Sequence, residues 1–346
     1  VSAVYRVDLD AFARNLRRVR EAVAPAAHML VVKDDAYAHG LEPIVTRAVA
    51  EGIRWIGAFD VVTGAAVRRI AGPDVRIFVW LIGGSDDLAA GIAADLDLGI
   101  GDEALLDDLS RLEAHRPARV HLKIDTGLHR NGIRPERWEA ALAQTSELVT
   151  AGRVAFEGIW SHISEASDAD DDDARAVFLA ARETARAAGL DPRFSHLAAS
   201  AAGFARDEFR EDIVRVGAFS YGIRPAGGPG ERELGIEPIA TLSATVTAVD
   251  AAGVHLDLGS LHGLPSALGG RFDVVTPGGP RRVEAIAATE TVLAPWGAQP
   301  GDEIALFGPA ALHTATDLAE LIDTIGEEIA LRVSPTVPRD YTSTDA

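Results

Sequence analysis

The stretch HMLVVKDDAYAHG, residues 28–40, sets a lysine directly behind the four-residue apolar run from Met29 to Val32. A run so short and so apolar predicts a strand buried on both faces, the environment of a parallel sheet. Lys33 then falls at the end of that strand, where desolvation disfavours the ammonium ion and frees an amine to form a Schiff base. Whether this is one strand of a barrel depends on the pattern of the rest of the chain.

Similar runs recur at 54–59 (RWIGAF), 75–82 (VRIFVWLI), 96–100 (LDLGI), 119–124 (RVHLKI), 154–163 (VAFEGIWSHI), 194–198 (FSHLA) and 212–217 (DIVRVG). Between them lie segments of helical period, among them 42–52, 102–115, 135–152 and 172–189. About eight such βα units in roughly 200 residues predict an α/β fold, a (β/α)8 TIM barrel. An open doubly wound sheet is the alternative, since one misplaced strand would reopen the ring. After the Gly/Pro-rich stretch RPAGGPGERELG (224–235) the pattern turns to short threonine- and valine-rich runs at 239–250, 253–260, 272–279, 281–289 and 302–309. These predict a mainly antiparallel β-domain. One helix is expected over 316–333. The expected division is a barrel over 10–230 and a C-terminal β-domain over 231–346.

The 346 residues carry 52 acids against 33 Lys and Arg, a formal charge of −19, which disfavours nucleic acid and anionic membranes as partners. With no cysteine there is no disulfide framework, no thiolate metal site and no thiol nucleophile. No apolar run approaches the roughly 18 residues of a spanning helix, and the N-terminus lacks the apolar core of a signal peptide, so a cytoplasmic address is expected. The acidic run DADDDDAR (168–175) reads as a solvated loop and helix start, not as a metal site. No metal is expected.

In barrel enzymes chemistry gathers at the C-terminal ends of the strands. Here those ends carry Lys33 with Tyr37 and His39, then Lys123, Asp125, His129 and Arg130, then His162, then His196 and Ser200, then Arg215 before Gly217. Singly each has a plain reading: a satisfied core histidine, a surface arginine, a helix-capping serine. Together, on one face, they suit pyridoxal phosphate. Lys33 would bond its aldehyde, while the backbone N–H groups of Gly217 and Ala218, the Ser200 hydroxyl and a tyrosine would cradle its phosphate.

The motifs VVKDDAYAHG, KIDTGLHRNGI, GIWSHIS, HLAASAA, VRVGAFSYG and VPRDY, in that order across nearly the whole chain, resemble those of the alanine racemase family. The resemblance implies a barrel followed by a β-domain, with pyridoxal 5'-phosphate held by Lys33, which is also the base on one face of the substrate. It implies that Tyr37, Ser200, Gly217, Ala218 and Tyr341 hold the phosphate, and that Arg215 faces the pyridine nitrogen with His162 in support. His196 would line the cofactor pocket. Arg130 would meet the cofactor phenolate and the substrate carboxylate, oriented by Lys123, which in several relatives is carbamylated. It further implies a homodimer whose β-domains complete each other's sites, and an N-terminal strand, here about Ser2 to Leu9, packed with the β-domain.

The family's G-Y-x-D-G motif, whose tyrosine is the base on the opposite face, corresponds to LGSLHGLPS. Ser260 stands at the tyrosine position and His262 at the aspartate position. The family's Met-Asp pair falls at about Ala287 and Ala288, while Ala38 and Ala199 replace a glycine and an asparagine. A serine hydroxyl is too weak a base near neutral pH. His262, an imidazole, would share a strand face with Ser260 if the extension continues, and is the candidate second base; a loop histidine is the plain alternative. The expected activity is racemisation of alanine or a related small amino acid. The alternatives are a pyridoxal phosphate enzyme of another class at Cα (decarboxylase, aldolase or stereospecific exchange) and a catalytically altered cofactor-binding homologue.

Overall fold

The structure, a computed structural model, describes residues 2–197 and 200–344. Its contacts divide the chain into two compact units. One comprises Val19–Lys33 and Ala48–Gly217, the other Val1–Arg18, Asp34–Arg47 and Ala218–Ala346. The main boundary thus falls at Gly217/Ala218, ahead of the Gly/Pro-rich stretch at 224–235.

Strand β1 (Ala3–Asp8) belongs to the second unit. The first holds β2 (Ala27–Val31), β3 (Trp55–Asp60), β4 (Arg76–Leu81), β5 (Asp97–Ile100), β6 (Ala118–Lys123), β7 (Val154–Trp160), β8 (Phe194–His196) and β9 (Ile213–Val216). All pair in parallel, β2 to β8 in sequence order, and β9 returns to lie against β2. Where β8 meets β9 the ring is joined by single bonds. Asp212 N–H donates to Ser195 O at 3.0 Å, and the Asp212 carboxylate accepts from Ser195 N–H at 2.7 Å. A side chain stands in there for a ladder bond.

Ring closure sends alternate residues inward. Met29, Trp55, Phe78, Trp160 and Ile213 form the packed centre. Arg119, His121 and Lys123, two apart on β6, share one strand face, and His121 and Lys123 are buried. Room for such groups is made by glycine. A Cβ on Gly158 would lie 2.3 Å from Phe194 O and 2.8 Å from His121 Nδ1.

Helices follow most strands, as the periodicity predicts. Trp138–Thr150 buries Trp138, Ala141, Leu142, Thr145 and Leu148, a 3-4 spacing on one face. The acidic run opens the helix Asp168–Ala187, where Ser167 accepts from Asp170 N–H and the acids of the first turn complement the dipole.

In the second unit a sheet runs in the order β12 (Asp273–Thr276), β13 (Gly279–Ile286), β14 (Thr291–Leu293), β11 (Val254–Leu256), β10 (Ala240–Val249), β1, β16 (Arg339–Thr342), with β15 (Glu303–Phe307) also on β10. Only the β1–β16 pair is parallel; it joins the two ends of the chain. The single helix expected over 316–333 is instead two, Ala315–Glu320 and Gly326–Arg332. Asp323 turns the chain with φ 55°. Gly326 then packs so closely on Thr316 that a Cβ would sit 2.3 Å from its Oγ1. The apolar period survives such a break, which is why it hid it. No helix among the described residues is long and apolar enough to cross a membrane.

Because the Asp212 carboxylate is the partner of Ser195 N–H, Asp212→Ala should lower stability by about 1–3 kcal/mol. Asp212→Asn, which keeps an acceptor, should lose less. The urea unfolding midpoints of the two variants check this.

Candidate active site

Lys33 is the second residue after β2 and is half-buried. Immediately after it the backbone does something the sequence pattern gives no sign of. Asp34, Asp35, Ala36, Tyr37 and Ala38 all have φ between 53° and 63°, five consecutive non-glycine residues in the left-handed region. Each costs about 1–2 kcal/mol relative to a right-handed conformation. Within the second unit the turn is tied back to itself. His39 N–H donates to Ala36 O at 3.1 Å, Gly40 N–H to Asp35 O at 3.0 Å, and Leu41 N–H to the Asp35 carboxylate at 2.8 Å. His39 donates from Nδ1 to Ala36 O and accepts at Nε2 from the Tyr5 hydroxyl, and its ring stacks on Tyr221. Tyr221 in turn packs on Tyr37 at 4.8 Å.

In the barrel unit, Arg215 on β9 is buried and donates from both terminal nitrogens. One bonds His196 Nδ1 and His196 O at 3.0 Å; the other bonds Ser161 O at 2.7 Å, Leu197 O at 3.1 Å and His162 Nδ1 at 3.2 Å. The remaining Nε–H bonds to none of the described residues. Burial pulls the guanidinium down to about 9, so it is still charged at neutral pH. Burial, and then the neighbouring charges of Arg215, Arg130, Lys123 and Lys33, hold His162 neutral, well below its ordinary value. The fields of four cations thus converge on one imidazole.

Lys123 lies at the end of β6, its ammonium 4.5 Å over the Trp160 ring. Burial first, then Arg215 and Arg130, lower it to about 8. Asp125 does little to relieve this, since it is engaged elsewhere. It accepts from Gly127 N–H and His129 N–H at 3.1 Å, from His129 Nδ1 at 2.9 Å, and pairs with Arg134 at 3.2 Å. Arg130 itself is exposed. Ser200 opens a short helix and its hydroxyl accepts from Gly217 N–H at 3.3 Å, joining two of the residues expected to bind phosphate. A crowd of cations beside hydroxyl and amide donors fits an anionic cofactor, and a guanidinium with one N–H left over fits a neutral ring nitrogen.

The other expected residues lie in the second unit. Tyr37 and Ala218 are buried, and Tyr341 lies on β16. Gly40, with φ 90°, lies so close to Tyr341 that a Cβ would be 2.0 Å from its hydroxyl oxygen. The expected strand through Ser260 and His262 is not there. Ser260–His262 is a single 3-10 turn, in which residues two apart point to different sides, so the two do not share a face. His262 Nδ1 accepts from Gly259 N–H at 3.0 Å, which in a neutral ring puts the proton on Nε2. The turn is docked on the other altered motif, with Ser260 N–H donating to Ala287 O and Leu261 N–H to Ala288 O, both at 2.9 Å. The two departures from the family pattern are therefore one patch. Ala199, a further departure, lies outside the described residues.

Two signals of the site lie outside the motifs. Of the 33 basic residues only two are lysines, Lys33 and Lys123. Both stand at the ends of barrel strands, where the sequence pattern leads one to look for the site. The second signal is a pair of polar residues, Asp97 and His121, set inside apolar strands and fully buried in the barrel.

The alanine racemase N-terminal domain family matches residues 7–225. The alanine racemase of Thermobifida fusca is 36% identical over 367 residues, covering 97% of each chain, and that of Beutenbergia cavernae is 35% identical over 363 residues, covering 96% of each. Among solved structures, alanine racemase from Streptomyces coelicolor A3(2) superposes with a TM-score of 0.93 at 30% identity, covering 99% of this chain and 98% of that one.

Two lysines make a direct titration practical. After reductive methylation with 13C-formaldehyde, the Lys123 signal should titrate with a midpoint near pH 8. Arg130→Ala, which removes one neighbouring cation, should move that midpoint upward.

Proposed function

Since this chain belongs to the alanine racemase family, we propose that it is a pyridoxal 5'-phosphate-dependent racemase that interconverts the L and D forms of alanine or a closely related small amino acid. The observation that carries this reading is Arg215, buried among strand ends with both terminal nitrogens committed and its Nε–H bonded to none of the described residues. When bound, the cofactor supplies an electron sink that acidifies the Cα–H of an amino acid attached to it.

Lys33 is assigned the covalent hold on the cofactor and, once released, the movement of the Cα proton on one face. Arg215 would donate to the pyridine nitrogen, and because a guanidinium does not readily give up its proton it would leave that nitrogen unprotonated. His162, neutral, takes an N–H from Arg215 and fixes its plane. His196 fixes it from the other terminal nitrogen. Arg130 is assigned the cofactor phenolate and the substrate carboxylate, and Lys123 the orientation of Arg130, with Lys123 in reach of carbamylation because part of it is already neutral near pH 8. Ser200 and Gly217 are assigned the phosphate, as are Tyr37, Ala218 and Tyr341 by family resemblance.

Racemisation needs a proton moved on the second face as well. Ser260 stands where relatives carry the tyrosine, and a hydroxyl of ordinary acidity takes no proton there at neutral pH. His262 gives its Nδ1 lone pair to Gly259 N–H, so it can act as a base only after that bond breaks. We therefore read the Ser260 turn as the slow half of the reaction. A cytoplasmic homodimer is proposed on family resemblance.

The test is chiral chromatography of L-alanine and other small amino acids incubated with the cofactor-loaded protein. Appearance of the D-form is expected, and its absence with every amino acid tried, or release of a decarboxylated or cleaved product, would overturn the reading. Borohydride treatment should fix the cofactor to Lys33, one of only two lysine peptides, and Lys33→Ala should bind no cofactor covalently. Ser260→Tyr should raise kcat by about 10-fold or more, since a placed acid–base group typically contributes 10²–10⁴.

A further inference from the structure

Below Arg215 the barrel interior holds a line of polar groups that the proposed chemistry does not use. His196 Nε2 lies 3.1 Å from His121 Nδ1, and His121 Nε2 lies 3.3 Å from an Asp97 carboxylate oxygen. Asp97, His121 and His196 are all fully buried. Phe78 meets both imidazoles edge-on, at 5.3 and 5.0 Å, Phe194 stacks on His121, and Trp160 stacks on His196. Asp97 opens β5, at the opposite end of the strands from Lys33 and Lys123. Arg76 grips both its oxygens, Arg119 lies 3.4 Å away, and Glu157 takes a further bond from Arg76 at 3.1 Å.

Only one arrangement of protons satisfies this line. A guanidinium has no acceptor, so the Arg215–His196 bond leaves His196 Nδ1 without a proton. The His196 proton is then on Nε2 and donates to His121 Nδ1. That puts the His121 proton on Nε2, where the Asp97 carboxylate, an acceptor only, receives it. Each bond dictates the next, and the direction never reverses.

We propose that Asp97 and His121 are positioning residues for Arg215: the one-way chain Arg215→His196→His121→Asp97 holds both imidazoles neutral, in the Nε2–H form, and locks the guanidinium in place. The carboxylate is the chain's terminus. Without it His121 has no reason to present a lone pair upward, and His196 loses the acceptor that fixes its ring. The effect on catalysis rests on the reading of Arg215 as the residue facing the pyridine nitrogen. The tautomers do not, because they are a property of the protein alone.

The experiment therefore begins without cofactor. In the 15N-histidine-labelled apoprotein, His121 and His196 should each show a protonated Nε2 and a bare Nδ1, with slowly exchanging N–H protons. A proton on Nδ1 of either ring overturns the proposal, whatever the protein proves to catalyse. Two variants then separate linkage from bulk. His121→Phe keeps a ring against Phe78 and cuts the chain. His121→Gln can accept from His196 with its carbonyl and donate to Asp97 with its amide, preserving the direction. His121→Phe should lose the slowly exchanging His196 proton, and in the cofactor-loaded enzyme kcat should fall roughly 10–100-fold, the usual cost of an outer-sphere partner, with KM within about twofold. His121→Gln should restore the proton signal and most of kcat. If His121→Phe melts like the parent yet keeps both the His196 signal and kcat, or if the Gln variant is no better than the Phe variant, the proposal fails. Should the Phe variant not fold, the parent tautomers and the Gln variant still decide the matter. Failure of the racemase reading would show as the expected tautomers with no racemisation.

Discussion

A closed ring of parallel strands points every second side chain at its own axis, and that axis offers no water. Any charge placed there has to be answered by another inward group. Much of this molecule's chemistry comes from that constraint. Arg215 is charged and fully enclosed, so it spends four N–H groups on His196, His162 and three carbonyls. Asp97 is equally enclosed and is answered by Arg76 and His121. Lys123 lies over the Trp160 ring, and burial beside Arg215 and Arg130 lowers its ammonium to about 8. Rigid geometry and perturbed protonation are here two results of one shortage of solvent.

The second constraint is local and lies just past Lys33. Five left-handed residues carry an intrinsic cost of several kcal/mol in sum. They persist because surrounding groups leave no alternative. His39 is pinned between Ala36 O and the Tyr5 hydroxyl, its ring lies on Tyr221, and Tyr37 packs on Tyr221 from another side. Burial pushes His39 down to about 4, so it stays the neutral donor and acceptor that this arrangement needs. The turn immediately succeeds the lysine that the proposed chemistry depends on.

How much of this the sequence disclosed depended on how each residue is buried. Strands buried on both faces are unbroken apolar runs, and the eight barrel strands lie within three residues of where those runs placed them. The polar residues closing the runs, Lys33, Lys123, His162, His196 and Arg215, were legible because a charge at the end of such a run is out of place. Asp97 and His121 were missed, because each sits inside an apolar run, and a polar residue there is a signal only when it is asked what answers it in the core. The left-handed turn was hidden for a different reason. Asp34 and Asp35 tolerate positive φ, but Ala36, Tyr37 and Ala38 announce nothing of the kind. The Ser260–His262 turn depends on backbone bonds to Ala287 and Ala288, and the break at Asp323 on the close approach of Gly326 to the Thr316 side chain. Neither contact is encoded locally.

The left-handed stretch also bears on the handedness of the chain's own building blocks. Residues of the opposite chirality would find φ near +55° relaxed, not strained, at Ala36 and Ala38. D-alanine at either site would meet that backbone conformation without the handedness cost an L-residue bears. For a short span, then, this sequence of L-residues describes the mirror-image helix.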